Sequence, residues 1–170
     1  MLDRISALLS RSPTKSGVAK DQVPEKQLAA VALLIEVACM DDDFEAVERS
    51  RITELITRYF DLDSLECDAL MEEAEKATRD SGQLYEFTRV INDNYSLEER
   101  VELMELLWEV VYADGEVHDM ETGLLRKIGG LIYVSDKDRG FAQKRVARRA
   151  TGGNGVAPVK VKNIRKFGRC

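Results

Sequence analysis

The sequence predicts an all-α protein: a compact domain of six or seven helices that includes two pseudo-symmetric helical hairpins. Apolar residues recur at helical spacing along most of the chain, and Leu28–Ile35 is a continuous apolar run. No segment is convincing as a strand, because the short runs Ile132–Val134 and Val156–Val161 have no evident partner. A length of 170 residues fits one such domain with tails.

An internal repeat is the third observation behind this fold class. Glu36–Leu55 and Glu109–Ile128 align without gaps, and each contains the end of an apolar helix, an acidic turn and the start of another helix. The matched pairs are Glu36 with Glu109, Val37 with Val110, Asp41 with Asp114, Asp43 with Glu116, and Glu48 with Glu121. Two copies predict a closed domain, since an open solenoid usually needs three or more repeats.

The first 24 residues are predicted to form a short helix and a linker. Leu2, Ile5 and Leu8 lie at helical spacing, and prolines and a glycine follow them before residue 25. The short helix docks on the domain or frays, or alternatively it binds a membrane surface or a partner.

Residues 25–150 are predicted to form the helical domain. Its first helix is apolar nearly all round and should be central and buried. Asp63 or Ser64 can cap the third helix, and Ser96 with Glu99 forms a capping box for the fifth. The predicted helices cover about residues 25–40, 45–60, 83–92, 97–113 and 119–133, a third helix runs from its cap to Ser81-Gly82, and a basic helix begins at Ser135.

Charge is distributed unevenly along the chain. Residues 1–136 carry 14 basic and 30 acidic side chains, a balance of −16, whereas residues 137–170 carry 11 and 1, a balance of +10. The acidic body is not expected to bind nucleic acid. The basic part is suited to nucleic acid, to anionic lipid or to the acidic body itself. Residues 151–170 lack periodicity and are predicted to be a basic disordered tail.

Cysteine usage and hydropathy predict a cytoplasmic location. The three cysteines form no CxxC pair, and an odd number fits a reducing compartment better than a disulfide framework. No signal peptide is evident, and the longest apolar run is too short to span a bilayer.

Carboxylates at the two turns form the candidate metal site. They are Asp41, Asp43, Glu48, Asp114, Glu116 and Glu121. Carboxylates at a helix C-terminus face the negative end of the helix dipole, at a cost of about a few tenths of a kcal/mol each, which a cation would offset. Oxygen ligands suit calcium or magnesium rather than zinc or copper. Solvated carboxylates with capping roles are the alternative interpretation.

The remaining candidate residues point to structural roles. Glu36 and Glu109, late in the apolar helices, either support the turns or emerge at the helix surface. His118 is predicted to be a helix cap, while Trp108 and Cys39 are predicted to be buried in the core. No GxSxG, Walker loop, HExxH or Cys–His pairing is present, so the sequence predicts no enzyme.

The repeated turn resembles a known family. A long apolar helix ends in Ala113-Asp114-Gly115, a Glu follows in the first turn of the next helix, and the pattern occurs twice. This pattern resembles that of the TerB-like family, which is named after tellurite resistance. The resemblance covers about residues 25–136, and the first copy departs from it by having Asp42 in place of glycine. It implies an all-helical fold with an acidic surface, a divalent-cation site, and a cytoplasmic stress-response role beside membrane-associated or chaperone-like partners.

Three functional hypotheses follow. The first is a cytosolic acidic helical module that binds a divalent cation and presents an interaction surface. The second is a metal-independent adaptor whose basic tail contacts an acidic partner or a membrane. The third is a metal-dependent hydrolase that uses paired carboxylates.

Overall fold

The computed structural model describes residues 23–41, 46–81, 84–113, 117–152 and 161–162. The all-α fold class is confirmed: the elements in these ranges are α1 (Glu25–Ala38), α2 (Ala46–Phe60), α3 (Ser64–Ser81), α4 (Leu84–Asn94), α5 (Leu97–Val111), β1 (Val117–His118), α6 (Asp119–Leu131), α7 (Asp136–Ala150) and β2 (Val161–Lys162). None of the helices in these ranges has the length and apolarity that a bilayer crossing needs. The predicted N-terminal helix, with residues 1–22, and most of the predicted tail lie outside the described residues.

Helix α1 forms the centre of the domain, as its apolar composition predicts. The run from Ala29 to Ile35 is buried without interruption, and Val37 and Ala38 are buried as well. Every other helix up to α6 packs against α1. A helix that is buried on all sides has no solvent-exposed face for charged residues. The charged residues of α1 accordingly lie near its ends, at Glu25, Lys26 and Glu36.

Local hydrogen bonds confirm the predicted helix starts. The side chain of Ser96 accepts a hydrogen bond from the backbone N–H of Glu99, whose carboxylate accepts the N–H of Ser96 at 2.7 Å. Asp63 does the same for α3: its Oδ1 accepts the N–H groups of Leu65 and Glu66, and Glu66 Oε2 accepts the N–H of Asp63. Such reciprocal caps satisfy N–H groups that the helix itself leaves unpaired.

The repeat extends further than the two predicted hairpins. A shift of 73 positions moves α1 onto residues 98–111, where α5 lies, and moves the first residue of α2 onto Asp119, which begins α6. The same shift moves the start of α3 to residue 137, one residue after α7 begins. The third helices also pack alike, since α3 lies against α1 and α7 lies against α5. Two units of three helices, joined by α4, therefore follow each other in the chain, while a symmetry axis between them stays a prediction.

Some predicted side-chain positions are wrong. The apolar character of Val47 in α2 predicts an inward-facing position with Ile52, but 74% of Val47 is exposed. The apolar character of Leu65 in α3 likewise predicts a buried position with Leu70, but 78% of Leu65 is exposed. Both pairs are five residues apart, which is about 140° around a helix of 3.6 residues per turn, so the two members cannot share a face. Cys39, predicted to be buried, is half-buried.

The prediction of no strand is also wrong in detail. Val117 pairs with Val161 and His118 with Lys162 in a short parallel contact. This contact joins the segment before α6 to the region predicted to be a disordered tail. Two residues per strand give no readable alternation, so the contact could be found only from the folded structure.

Candidate functional site

The six predicted metal-site residues belong to the two segments that follow α1 and α5. Asp41 is the last residue of a short 3-10 helix, Cys39–Asp41, that continues α1. Glu48 and Glu121 lie in the first turns of α2 and α6. The three other predicted ligands, Asp43, Asp114 and Glu116, lie outside the described residues.

The start of α6 has a defined geometry in the second copy. His118 is the N-cap residue, as predicted, and its backbone N–H donates to Glu121 Oε2 at 2.9 Å. The side-chain hydroxyl of Thr122 donates to the carbonyl of His118 at 3.2 Å. Glu121 is therefore held at the point where the chain leaves the acidic turn and enters α6, and its charge faces the favourable end of the helix dipole.

Contacts between the two copies bring the flanks of their turns together. Arg51, in the second turn of α2, donates from Nη2 to the carbonyl of Ala113 at 3.3 Å. Ala113 directly precedes the second acidic turn, and α2 directly follows the first. At the starts of the helices, Lys26 Nζ of α1 lies 2.8 Å from Glu99 Oε1 of α5. The helices that lead into the two turns therefore begin on the same side of the domain.

Further carboxylates surround the end of α1. Burial raises the pKa of the Cys39 thiol, and the negative charges of Glu36, Glu48 and Glu75 raise it further. A thiol with a raised pKa is protonated at neutral pH and is a poor nucleophile. Glu75 belongs to α3, so it lies near the end of α1 only because α3 packs there. The sequence of the turn alone therefore does not predict its presence.

The donor chemistry fits a hard cation, but the described ligands are few. Glu48 and Glu121 supply carboxylate oxygens, which calcium and magnesium prefer. Over the described ranges no three His, Cys, Asp or Glu side chains are grouped so that they could hold a metal ion. The metal site therefore stays a prediction.

A network of charged side chains joins α7 to α5 and α2. Glu105 accepts hydrogen bonds from Arg145 Nε, at 2.6 Å, and from Arg149. Glu109 is contacted by Arg149, at 3.1 Å, and by Arg58 of α2, at 2.6 Å. The basic helix thus contacts the acidic body, one of the three partners that its charge allowed. Glu109 therefore links α2 to α7 through these two ion pairs.

Trp108 and Tyr112 of α5 form an aromatic pair close to α7. Trp108 is buried, as predicted, and stacks on Tyr112 with ring centroids 5.6 Å apart. Gln143 of α7 donates to the Tyr112 hydroxyl at 3.2 Å. Beside Trp108 lies a cavity of about 510 Å³ between α5, α6 and α7, which Met104 and Arg126 also line. Within the described residues, Trp108 Nε1 has no hydrogen-bond acceptor.

The fold and the repeated acidic turn define an all-helical domain built from two similar units. This chain belongs to the TerB family, since the family model described as "Tellurite resistance protein TerB" matches residues 27–144. The match covers more than half of the chain and extends beyond the predicted range 25–136 into α7. Comparisons with curated proteins and with solved structures find no match.

Glu36 provides a test of the electrostatics at the end of α1. Burial raises the pKa of its carboxyl group, so the ionised form is disfavoured in the folded protein. The contribution of Glu36 to stability is therefore fully present below the unfolded-state pKa and is lost as the pH rises through the folded-state pKa. We expect Glu36→Gln to raise the melting temperature at pH 7, and this difference to shrink as the pH falls towards 4.

Thermal unfolding of both proteins at several pH values measures this difference. Glu54→Gln, an exposed change on α2, is the matched control. An equal change in both variants, or a gain at Glu36 that does not depend on pH, would contradict the assignment.

Proposed function

We propose that this TerB-family protein is a cytoplasmic module that binds a divalent cation at its acidic turns and presents an interaction surface in a stress response. The repeated acidic turn carries the proposal. Asp41, Asp43 and Glu48 recur as Asp114, Glu116 and Glu121. Negative charge at a helix C-terminus is unfavourable, and its duplication is easiest to explain if a cation offsets it. Calcium and magnesium are the ions that such ligands suit.

The contact between Arg51 and the carbonyl of Ala113 supports a shared location for the two turns, because it joins the start of α2 to the end of α5. The equivalent positions of Glu48 and Glu121, each in the first turn of the following helix, support the same proposal. The TerB family is not a known enzyme family, which supports a binding role rather than catalysis.

Calorimetric titration with calcium, magnesium and manganese tests the proposal. We expect saturable binding and a rise in melting temperature for the wild type, and loss of both in Asp43→Asn/Asp114→Asn. The control Asp68→Asn/Asp93→Asn removes the same charge from exposed positions on α3 and α4 and should bind like the wild type. One ion per chain would indicate a shared site, and two would indicate separate sites. No heat and no thermal shift at millimolar metal would contradict cation binding.

A metal-independent adaptor is the second candidate, and the charge of the C-terminal tail favours it. Arg145 and Arg149 already pair with carboxylates of α5, whereas residues 153–170 carry five further basic side chains and no acidic one. Such a segment suits an acidic partner or an anionic membrane. This hypothesis predicts binding to anionic vesicles that persists in EDTA and is lost when the chain ends at Gly152.

A further inference from the structure

We propose that a cleft between α2, α5 and α7 binds an oxyanion, with a phosphate group as the chemical class. The cleft has a volume of about 380 Å³. Arg51 and Arg58 of α2 line it, together with Glu109, Tyr112 and Arg149. Its charge is opposite to that of the acidic turns, so this proposal does not depend on the cation site.

The charge of the lining residues is the first argument. Three guanidinium groups and one carboxylate line the cleft, a balance of +2, whereas residues 1–136 carry −16. Among the described residues Arg51 forms no ion pair, and it donates to the Ala113 carbonyl at 3.3 Å. Arg58 contacts Glu109 through Nη2, and 66% of its side chain is exposed. Both arginines therefore retain N–H groups that face solvent.

The geometry of the arginines is the second argument. Arg51 and Arg58 are seven residues apart on α2, which is close to two full turns, so they project from the same face. Arg149 faces them from α7, and Glu109 contacts both Arg58 and Arg149. A carboxylate that holds two guanidinium groups in place reduces the rotamer freedom that they lose on binding. Guanidinium groups donate paired hydrogen bonds that match phosphate oxygens.

A purely structural role is the competing explanation. The cleft lies near the C-terminal ends of α5 and α7, where unpaired carbonyl groups attract cations and disfavour anions. Arg51 would then serve only to pair a helix-end carbonyl, and Arg58 and Arg149 only to join α2 and α7 through Glu109. This explanation predicts that the cleft binds no anion.

Titration of the full chain with inorganic phosphate, in EDTA and at low ionic strength, separates the two explanations. We expect saturable binding, with amide shifts centred on the residues of the cleft, and no comparable effect of chloride. Arg51→Gln should weaken phosphate binding about tenfold, because one charge-assisted hydrogen-bond donor is lost. Arg58→Lys should also weaken it, since the charge remains but the paired donor geometry does not.

Arg145→Gln is the matched control. It removes the same charge from α7, but Arg145 pairs with Glu105 and does not line the cleft. Its phosphate affinity should equal that of the wild type. Lack of saturable binding by both inorganic phosphate and phosphatidic acid vesicles would overturn the proposal. Equal weakening by Arg51→Gln and Arg145→Gln would also overturn it, because it would indicate non-specific attraction. Melting temperatures of all variants verify that they are folded.

A vesicle-binding measurement distinguishes a soluble phosphate from a lipid headgroup as the source of the phosphate group. Binding of inorganic phosphate that depends on Arg51 would support the cleft as a site for a soluble phosphate. Binding seen only with phosphatidic acid vesicles, absent with neutral phosphatidylcholine and lost in Arg51→Gln, would support it as a site for a lipid headgroup. Vesicle binding that Arg51→Gln leaves unchanged would contradict the assignment of this cleft.

Discussion

Leu34→Ala and Leu107→Ala should each lower the free energy of unfolding by about 2–5 kcal/mol. The two leucines occupy matched positions of the repeat, in α1 and α5, and neither is accessible to solvent. Each substitution removes buried methyl groups and leaves a cavity that close-packed neighbours fill only partly. Urea denaturation followed by circular dichroism measures both effects.

Leu65→Ala is the control for these two changes. The chemical change is the same, but Leu65 lies on the outside of α3 with 78% of its area exposed. We expect its effect to stay within about 0.5 kcal/mol, as is usual for surface positions. Comparable losses at all three positions would contradict the described burial, and a small loss at Leu107 alone would mean that α5 is not part of the core.

Glu105→Gln should lower the free energy of unfolding by about 1–3 kcal/mol. The side chain of Glu105 is only 16% exposed and accepts hydrogen bonds from both Arg145 and Arg149. Loss of its charge weakens both contacts between α5 and α7. The two arginines are about half exposed, so water compensates part of the loss and the effect stays below that of a fully buried ion pair.

Fluorescence of Trp108, the one tryptophan of the chain, reports on the packing of α7. Trp108 stacks on Tyr112, and the Tyr112 hydroxyl accepts a hydrogen bond from Gln143 of α7. Added salt should destabilise the wild type more than Glu105→Gln, because screening weakens the ion pairs that the variant lacks. Glu54→Gln, which removes an exposed charge from α2, should retain the wild-type response. A salt response that is equal in the wild type and in Glu105→Gln would show that these ion pairs do not hold α7.

The parts of the fold that depend on local chemistry could be predicted from the sequence. The apolar run of α1 and the caps at Asp63, Ser96 and His118 are such features, because a helix and its first turn are set by residues close in the chain. Apolar character alone does not place Val47 and Leu65, because each lies about 140° around its helix from the buried residue five positions later. The pairing of Val117 with Val161 joins distant segments and leaves no local signal.

In the candidate sites too, features set by residues close in the chain could be predicted, and contacts between distant segments could not. The repeat identified the acidic turns, but Asp43, Asp114 and Glu116 lie outside the described residues, so their relative positions stay predictions. The charge of α7 allowed three kinds of partner, and the choice depended on which helix packs beside it. The sequence does contain one signal for this contact. Glu105 and Glu109 are four residues apart, and so are Arg145 and Arg149, which is the spacing of side chains on one face of a helix.

The two units of the chain differ in what secures their third helix. Buried Cys67, Leu70, Met71 and Ala74 attach α3 to the centre, whereas α7 buries only Ala142 and Val146 and otherwise relies on arginines. The position of α1 that matches Glu105 is Ala32, which is wholly buried. The third helix of the N-terminal unit is thus held by apolar packing, and that of the C-terminal unit is held mainly by ion pairs. The C-terminal side can respond to its ionic surroundings while the N-terminal side keeps the domain intact.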